Sequence, residues 1–157
     1  MSDDFFEPPI YSEILPNLWQ GGTDDEDLVH KGSGRLPTVS DRKEFDVVVS
    51  LSAYSMPVGW HVKEYRFGFP DGPAEDAIYA EVEQIADYVH KDWVSGKKVL
   101  IRCQAGLNRS GLVTALVLLR EGVRLPKIIE LIREKRGEYA LSNNHFMEYL
   151  QKREEEK

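Results

Sequence analysis

Cysteine occurs once in this chain, at position 103, so no intramolecular disulfide is possible and oxidative control through an internal cysteine pair is excluded. Cysteines and histidines at zinc-ligand spacing are also missing, and neither a metal nor any other cofactor is expected. The longest apolar run, Gly111 to Leu119, is interrupted by Thr114 and falls well short of the roughly 18 residues a membrane-spanning helix requires. The start of the chain, Met-Ser-Asp-Asp-Phe-Phe-Glu, is acidic and lacks the basic residues, apolar stretch and cleavage site of a secretory signal. A cytoplasmic protein with no membrane partner is expected. Positive charge is in deficit, with 20 Lys and Arg against 27 Asp and Glu and a net charge of −7. That balance disfavours general affinity for nucleic acid, which is bound mainly through Lys and Arg. Any phosphate site must therefore be local.

A chain of 157 residues suits one domain, here expected over residues 1–157 with its core at about 10–151 and short flexible ends. Ile14 to Trp19 reads as a first strand closed by Gly21-Gly22, and Asp24 to Glu44 as a long polar loop with some helix. Phe45 to Leu51 is apolar and β-branched, as in a strand covered on both faces, and Val62 to Phe67 alternates as a further strand. Between Ala74 and Trp93 the apolar residues Ile78, Val82, Ile85, Val89 and Trp93 recur at helical steps, and Ser95-Gly96 ends the pattern. Val99 to Ile101 is a short buried strand, and Leu112 to Leu119 is apolar all round, as a central helix would be. Pro126 opens a helix that Gly137 closes, Ser142 is placed to cap a last helix, and Glu154 to Glu156 reads as a solvated tail. Strands interleaved with helices predict a three-layer α/β/α domain around a central, mostly parallel sheet.

The segment with chemical content runs Arg102-Cys103-Gln104-Ala105-Gly106-Leu107-Asn108-Arg109-Ser110-Gly111. It places a cysteine at a strand end, then a glycine-containing loop, then a helix start. The backbone N–H groups of residues 104–109 and the helix dipole would cradle an anion, and the same field favours a thiolate at Cys103. Arg109, six positions after the cysteine, would grip two phosphate oxygens with its planar fork, which a lysine does not offer. Gly106 would let the loop bend, and Ser110 offers a hydroxyl to the thiolate when it leaves a phosphorylated intermediate. A lone cysteine after apolar strand residues also fits a small buried hydrophobe. The position between strand and helix, the glycine and the following serine favour the nucleophile.

At these residues the chain resembles the protein tyrosine phosphatase superfamily, and within it the compact dual-specificity phosphatases, whose signature is His-Cys, five residues, then Arg-Ser or Arg-Thr. Ile14 to Gly22 is similar to that family's opening strand, and Asn143-Asn144-His145-Phe146 to its late Asn-x-x-Phe element, in which the Asn braces the phosphate loop. The resemblance implies a cysteine phosphatase fold, a phosphocysteine intermediate and a general acid about thirty residues before the cysteine. Asp71 in Phe69-Pro70-Asp71-Gly72-Pro73 fits, lying 103 − 71 = 32 residues before Cys103; a turn residue is the plain alternative, and Asp76 is the reserve. One departure is Arg102 in place of the family's His, a residue expected to reach outward or to pair with a carboxylate. The implied partner is a phosphorylated protein or peptide, because Gln104, Ala105, Leu107 and Asn108 carry no charge to meet additional phosphates. Two other readings stay open. The ending Asn108 to Gly111 is similar to that of RNA 5′-triphosphatases, for which Arg120, Arg124, Lys127, Arg133, Lys135 and Arg136 would form a basic patch; otherwise these side chains form a solvated face. A phosphoprotein-binding module with little catalysis is the other.

Overall fold

The computed structural model describes residues 7–23, 43–53, 55, 58–59 and 61–156. Most of the polar segment expected as a long loop, residues 24–42, lies outside the described residues. The elements run β1 (Tyr11–Leu15), β2 (Leu18–Gly21), β3 (Val47–Ser50), β4 (Lys63–Arg66), α1 (Asp76–Val94), β5 (Val99–Arg102), α2 (Arg109–Arg120), α3 (Leu125–Arg136) and α4 (Asn144–Glu155). Among the described residues the sheet has five strands in the order β1-β2-β5-β3-β4. Only the β1-β2 pair is antiparallel; β2-β5, β5-β3 and β3-β4 are parallel. A mostly parallel α/β sheet is thus what the interleaved pattern predicted.

Ile14 to Trp19 is two strands and a turn rather than one strand. Asn17 sits at φ 69°, in the left-handed region a tight turn after proline uses, and Leu15 pairs with Leu18 across it. Apolar periodicity alone does not reveal a two-residue reversal inside an apolar run.

All four helices contribute to one cluster with Leu18, Val47, Val49, Val99 and Ile101 of the strands. Val48, Leu100, Tyr11, Phe45 and Val62 form a smaller cluster on the other face. Helix α2 is buried from Ser110 to Leu119, as its all-round apolar sequence requires. Among the described residues no helix is long and apolar enough to cross a membrane.

The last helix is capped by Asn143, whose side-chain oxygen accepts from the N–H groups of His145 and Phe146, and not by Ser142. Of the expected solvated tail, Glu155 and Glu156 are exposed, but Glu154 is engaged: it pairs with Arg124 and accepts at 3.1 Å from the N–H of Leu125, an otherwise unpaired donor at the start of α3. A half-buried cluster fastens α4 to the body, with Glu83 of α1 accepting from Arg120, Tyr149 and Arg153. Burial alone would push the Glu83 carboxyl up, but the bonds from Arg153, Tyr149 and Arg120 outweigh it and hold it below its ordinary value. A depressed carboxylate contributes stability that is fully present above the unfolded value near 4.5 and is lost as pH falls through the folded value. Glu83→Gln is therefore expected to lower stability by about 1–3 kcal/mol at neutral pH, with a gap that narrows as pH falls below 4. Urea midpoints of both proteins at pH 7 and pH 3.5 check this; a gap independent of pH would contradict it.

Candidate active site

The central strand β5 lies between β2 and β3, both parallel to it, so its carboxyl end opens at the edge where α/β sheets bind ligands. Cys103 is the first residue past that end. Its N–H donates to the carbonyl of Gly21 at 3.1 Å, while the carbonyl of Arg102 accepts from Leu51 at 3.0 Å, which ties the cysteine to both flanking strands. The side chain is buried, at 2% exposure. Its sulfur accepts from the N–H of Ser110 at 3.4 Å and lies 3.3 Å from the Ser110 hydroxyl oxygen. In the neutral thiol the S–H donates to that hydroxyl; in the thiolate the serine donates instead.

Residues 103–108 turn the chain from β5 into α2, and their carbonyls face away from the centre of the turn. Gln104 O accepts from Thr23 N at 3.1 Å, and Leu107 O from Leu141 N at 3.2 Å. Gly106 O accepts from Gln20 Nε2 at 3.1 Å and from Arg136 Nε at 3.1 Å, and Ala105 O from Arg136 Nη2 at 3.4 Å. All peptide bonds among the described residues are trans, so the N–H that shares a peptide plane with each of these carbonyls points the opposite way. Among the described residues the N–H groups of 104–109 have no acceptor. They form a preorganised ring of donors at the N-terminus of α2, whose dipole adds to the field.

Two glycines make this turn possible. Gly106 has φ +77°, and a Cβ there would meet the carbonyl carbon of Gly21 at 2.6 Å and the nitrogen of Gly22 at 2.7 Å. A Cβ on Gly22 would in turn meet Gln104 O at 2.7 Å.

Arg109, the first residue of α2, donates from Nη1 to Phe69 O at 3.0 Å. Its Nε is buried without a partner among the described residues, a donor left for a ligand. Asp71 is exposed beside the loop. One carboxylate oxygen accepts from Asn143 Nδ2 at 2.8 Å and the other from Asn108 Nδ2 at 3.1 Å. The N–H of Asn143 donates to Asn108 Oδ1 at 3.0 Å, so Asn143 touches both the loop and the acid. Sequence-predicted residues Cys103 to Ser110, Asp71 and Asn143 thus converge. Asp76 instead begins α1 as an exposed first-turn acid, where it complements the helix dipole.

Arg102 does not reach outward. It has 0% exposure, donates from Nε to Ser50 Oγ at 3.1 Å and lies 3.7 Å from the Glu64 carboxylate. Ser50 donates to the same carboxylate at 2.6 Å, so the buried cation is neutralised and bonded inside the sheet.

The basic residues after α2 do not form one solvated face. Arg120 donates to Glu83 at 2.9 Å and Arg133 to Ala140 O at 2.9 Å, both inside the fold. Arg136, at 3% exposure, lies beneath the phosphate loop and also donates to Pro9 O and, at 3.0 Å, to Ser12 Oγ. Burial pulls its guanidinium down from the usual value, and the field of Cys103 opposes that pull. Sequence reasoning missed Arg136 and Gln20 as supports of the loop. The one available signal was that position 136 follows Leu125, Ile128 and Ile132 at helical steps and so lies on the buried face of α3.

Comparison with known proteins places these features in a family. The model of the dual specificity phosphatase catalytic domain matches residues 29–156. A protein of Invertebrate iridescent virus 6, named as tyrosine phosphatase 123R, is 26% identical over 131 residues, covering 80% of each chain. The crystal structure of human DUSP28 superposes with a TM-score of 0.73 at 25% identity, covering 95% of both chains. A mouse dual specificity phosphatase crystallised with zinc tungstate superposes with a TM-score of 0.74 at 25% identity, covering 99% of this chain and 92% of that one.

Proposed function

The chain belongs to the dual specificity phosphatase catalytic-domain family, and from that membership we propose that it hydrolyses phosphate monoesters of proteins, foremost phosphotyrosine, through a phosphocysteine at Cys103. The observation that carries the reading is the ring of unengaged N–H groups over residues 104–109, centred on a buried cysteine and closed by the free Nε of Arg109. Such a ring complements the three non-bridging oxygens of a phosphoryl group. The mouse neighbour's tungstate is likewise a tetrahedral oxyanion.

In the first step the Cys103 thiolate attacks phosphorus as the P–O bond to the leaving group breaks, and Asp71 gives its proton to the departing oxygen. In the second, the Asp71 carboxylate takes a proton from water, the resulting hydroxide attacks phosphorus, and the P–S bond breaks to return the thiolate. Ser110, 3.3 Å from the sulfur, donates to that returning thiolate. Arg109 and the N–H ring carry the charge that spreads over the phosphoryl oxygens in both transition states. We further propose one catalytic domain over residues 1–157, and the cytoplasm as its compartment, because a nucleophilic thiol needs reducing surroundings.

The RNA 5′-triphosphatase reading has less support. Its basic patch is depleted by Arg120, Arg133 and Arg136, whose donors are engaged inside the fold. Acid quenching during turnover, followed by intact-mass analysis, is expected to find one phosphoryl group on a peptide containing Cys103. Turnover in EDTA of phosphotyrosine, phosphoserine and phosphothreonine peptides is compared with that of RNA bearing a 5′-triphosphate. Absence of the phosphoenzyme, with ligand still bound, would favour the binding-module reading, and a preference for the RNA would overturn the protein substrate.

A further inference from the structure

We propose that Asn108 is a positioning residue for the proton donor: its side-chain amide ties Asp71 to the phosphate loop, so that acid and phosphate site are held as one unit. The inference rests on the assignment of Asp71 as the general acid. Three contacts carry it. Asn108 Nδ2 donates to one oxygen of Asp71 at 3.1 Å, Asn143 Nδ2 donates to the other at 2.8 Å, and the N–H of Asn143 donates to Asn108 Oδ1 at 3.0 Å. The three residues close a cycle between the acid segment, the phosphate loop and the start of α4.

Both amides are oriented without ambiguity. The oxygen of Asn143 accepts from the N–H groups of His145 and Phe146, and the oxygen of Asn108 accepts from the N–H of Asn143. Backbone N–H groups only donate, so each amide must present its NH₂ to Asp71. Bridging a donor on one side and a carboxylate on the other requires one side chain with a separate acceptor and donor, which asparagine provides and serine at this reach does not. Asn108 is also only one residue from Arg109, whose Nη1 holds Phe69 O two residues before Asp71 at 3.0 Å. The acid segment is therefore fastened to the loop at two points, one by its backbone and one by its carboxylate. Of the two, the Asn108 contact alone fixes the carboxylate itself to the loop.

Each Asp71 oxygen accepts from one amide donor, an arrangement that suits the carboxylate required to take a proton from water in the second step. When Asp71 carries the proton for the first step, one oxygen becomes a hydroxyl and turns toward the leaving group, while the other keeps an amide donor. The amide pair thus sets where the carboxyl group sits in both steps. Displacing a reacting group by an ångström costs up to about a hundredfold in rate.

The test uses the leaving group as the readout. Phenyl phosphate needs a proton on its departing oxygen, whereas dinitrophenyl phosphate leaves without one. Asn108→Ala is expected to lower kcat/KM, which reports only the steps up to departure of the leaving group, by about 10–100-fold for phenyl phosphate and by less than about twofold for dinitrophenyl phosphate. In an Asp71→Asn background the same change is expected to add less than about twofold for either ester, because the group being positioned is gone. Asn108→Asp keeps the acceptor for the Asn143 N–H, and with it the loop contact, but removes the donor. It is expected to follow Asn108→Ala, and it serves as the test should the alanine variant fail to fold. Equal losses on both esters, or an aspartate variant with wild-type behaviour, would mean that Asn108 only braces the loop and would overturn the proposal. If Asp71→Asn itself shows no leaving-group dependence, the assignment of the acid fails and the proposal falls with it. A steep dependence in Asp71→Asn beside a flat one in Asn108→Ala overturns the role of Asn108 alone.

Discussion

Cys103→Ser is expected to abolish turnover of para-nitrophenyl phosphate, lowering kcat by about ten-thousandfold or more, while oxyanion binding survives. The reaction needs an anion at this position that forms a bond to phosphorus and later leaves it, and a serine hydroxyl is not ionised at neutral pH. The environment suits the larger, softer sulfur anion: the Ser110 N–H at 3.4 Å and the Ser110 hydroxyl at 3.3 Å both address it. The donor ring does not depend on the cysteine side chain, since the loop is held by Thr23, Gln20, Arg136 and Leu141 through its carbonyls. Binding of tungstate by the variant is therefore expected within about threefold of wild type, the typical context-dependence of a non-covalent contact. Rates in EDTA and calorimetric titration with tungstate test the two halves together. Residual turnover within tenfold of wild type would remove Cys103 from the mechanism, and loss of binding with intact fold would remove the donor ring.

The second large effect is expected at Arg109. Arg109→Lys keeps the charge, yet should lower kcat/KM by about a thousandfold. The guanidinium serves two sites at once: Nη1 is committed to Phe69 O at 3.0 Å, and Nε is buried and unpartnered. A lysine ammonium is a point charge that cannot hold the acid segment and present a fork to phosphate oxygens together. The loss should appear mainly in kcat, because charge on the phosphoryl oxygens is redistributed in the transition state. Steady-state kinetics beside a thermal melt separate this from unfolding. A lysine variant with near wild-type kcat/KM would show that the bidentate grip is not used.

How much of this was readable beforehand follows from how local each feature is. The phosphate loop occupies consecutive residues, 103–110, and its parts act through their own backbone and the helix they start, so its outline was visible in the order of residue types. The strands β3 and β5 and the helices α1 to α3 follow from period and from Pro126 and Gly137, which act within a turn or two. The hairpin at Asn17 was missed because apolar periodicity does not show a two-residue reversal, and the cap at Asn143 was misplaced by one position because Ser142 is equally competent for it and packing chose between them.

By itself, then, the sequence determined an α/β domain with a cysteine loop at a strand-to-helix junction and marked Cys103 and Arg109, while the family resemblance pointed to Asp71. Tertiary structure decided what surrounds them. Arg136 is separated from Gly106 by 30 positions, Gln20 from Gly106 by 86 and Asn143 from Asp71 by 72, so no local pattern links these pairs. A basic side chain near the end of a helix reads as solvated until the fold places backbone carbonyls beneath it. Arg136 and Arg102 became interior cations because packing removed water from them and supplied acceptors in its place, in Ala105 and Gly106 for one and in Ser50 and Glu64 for the other.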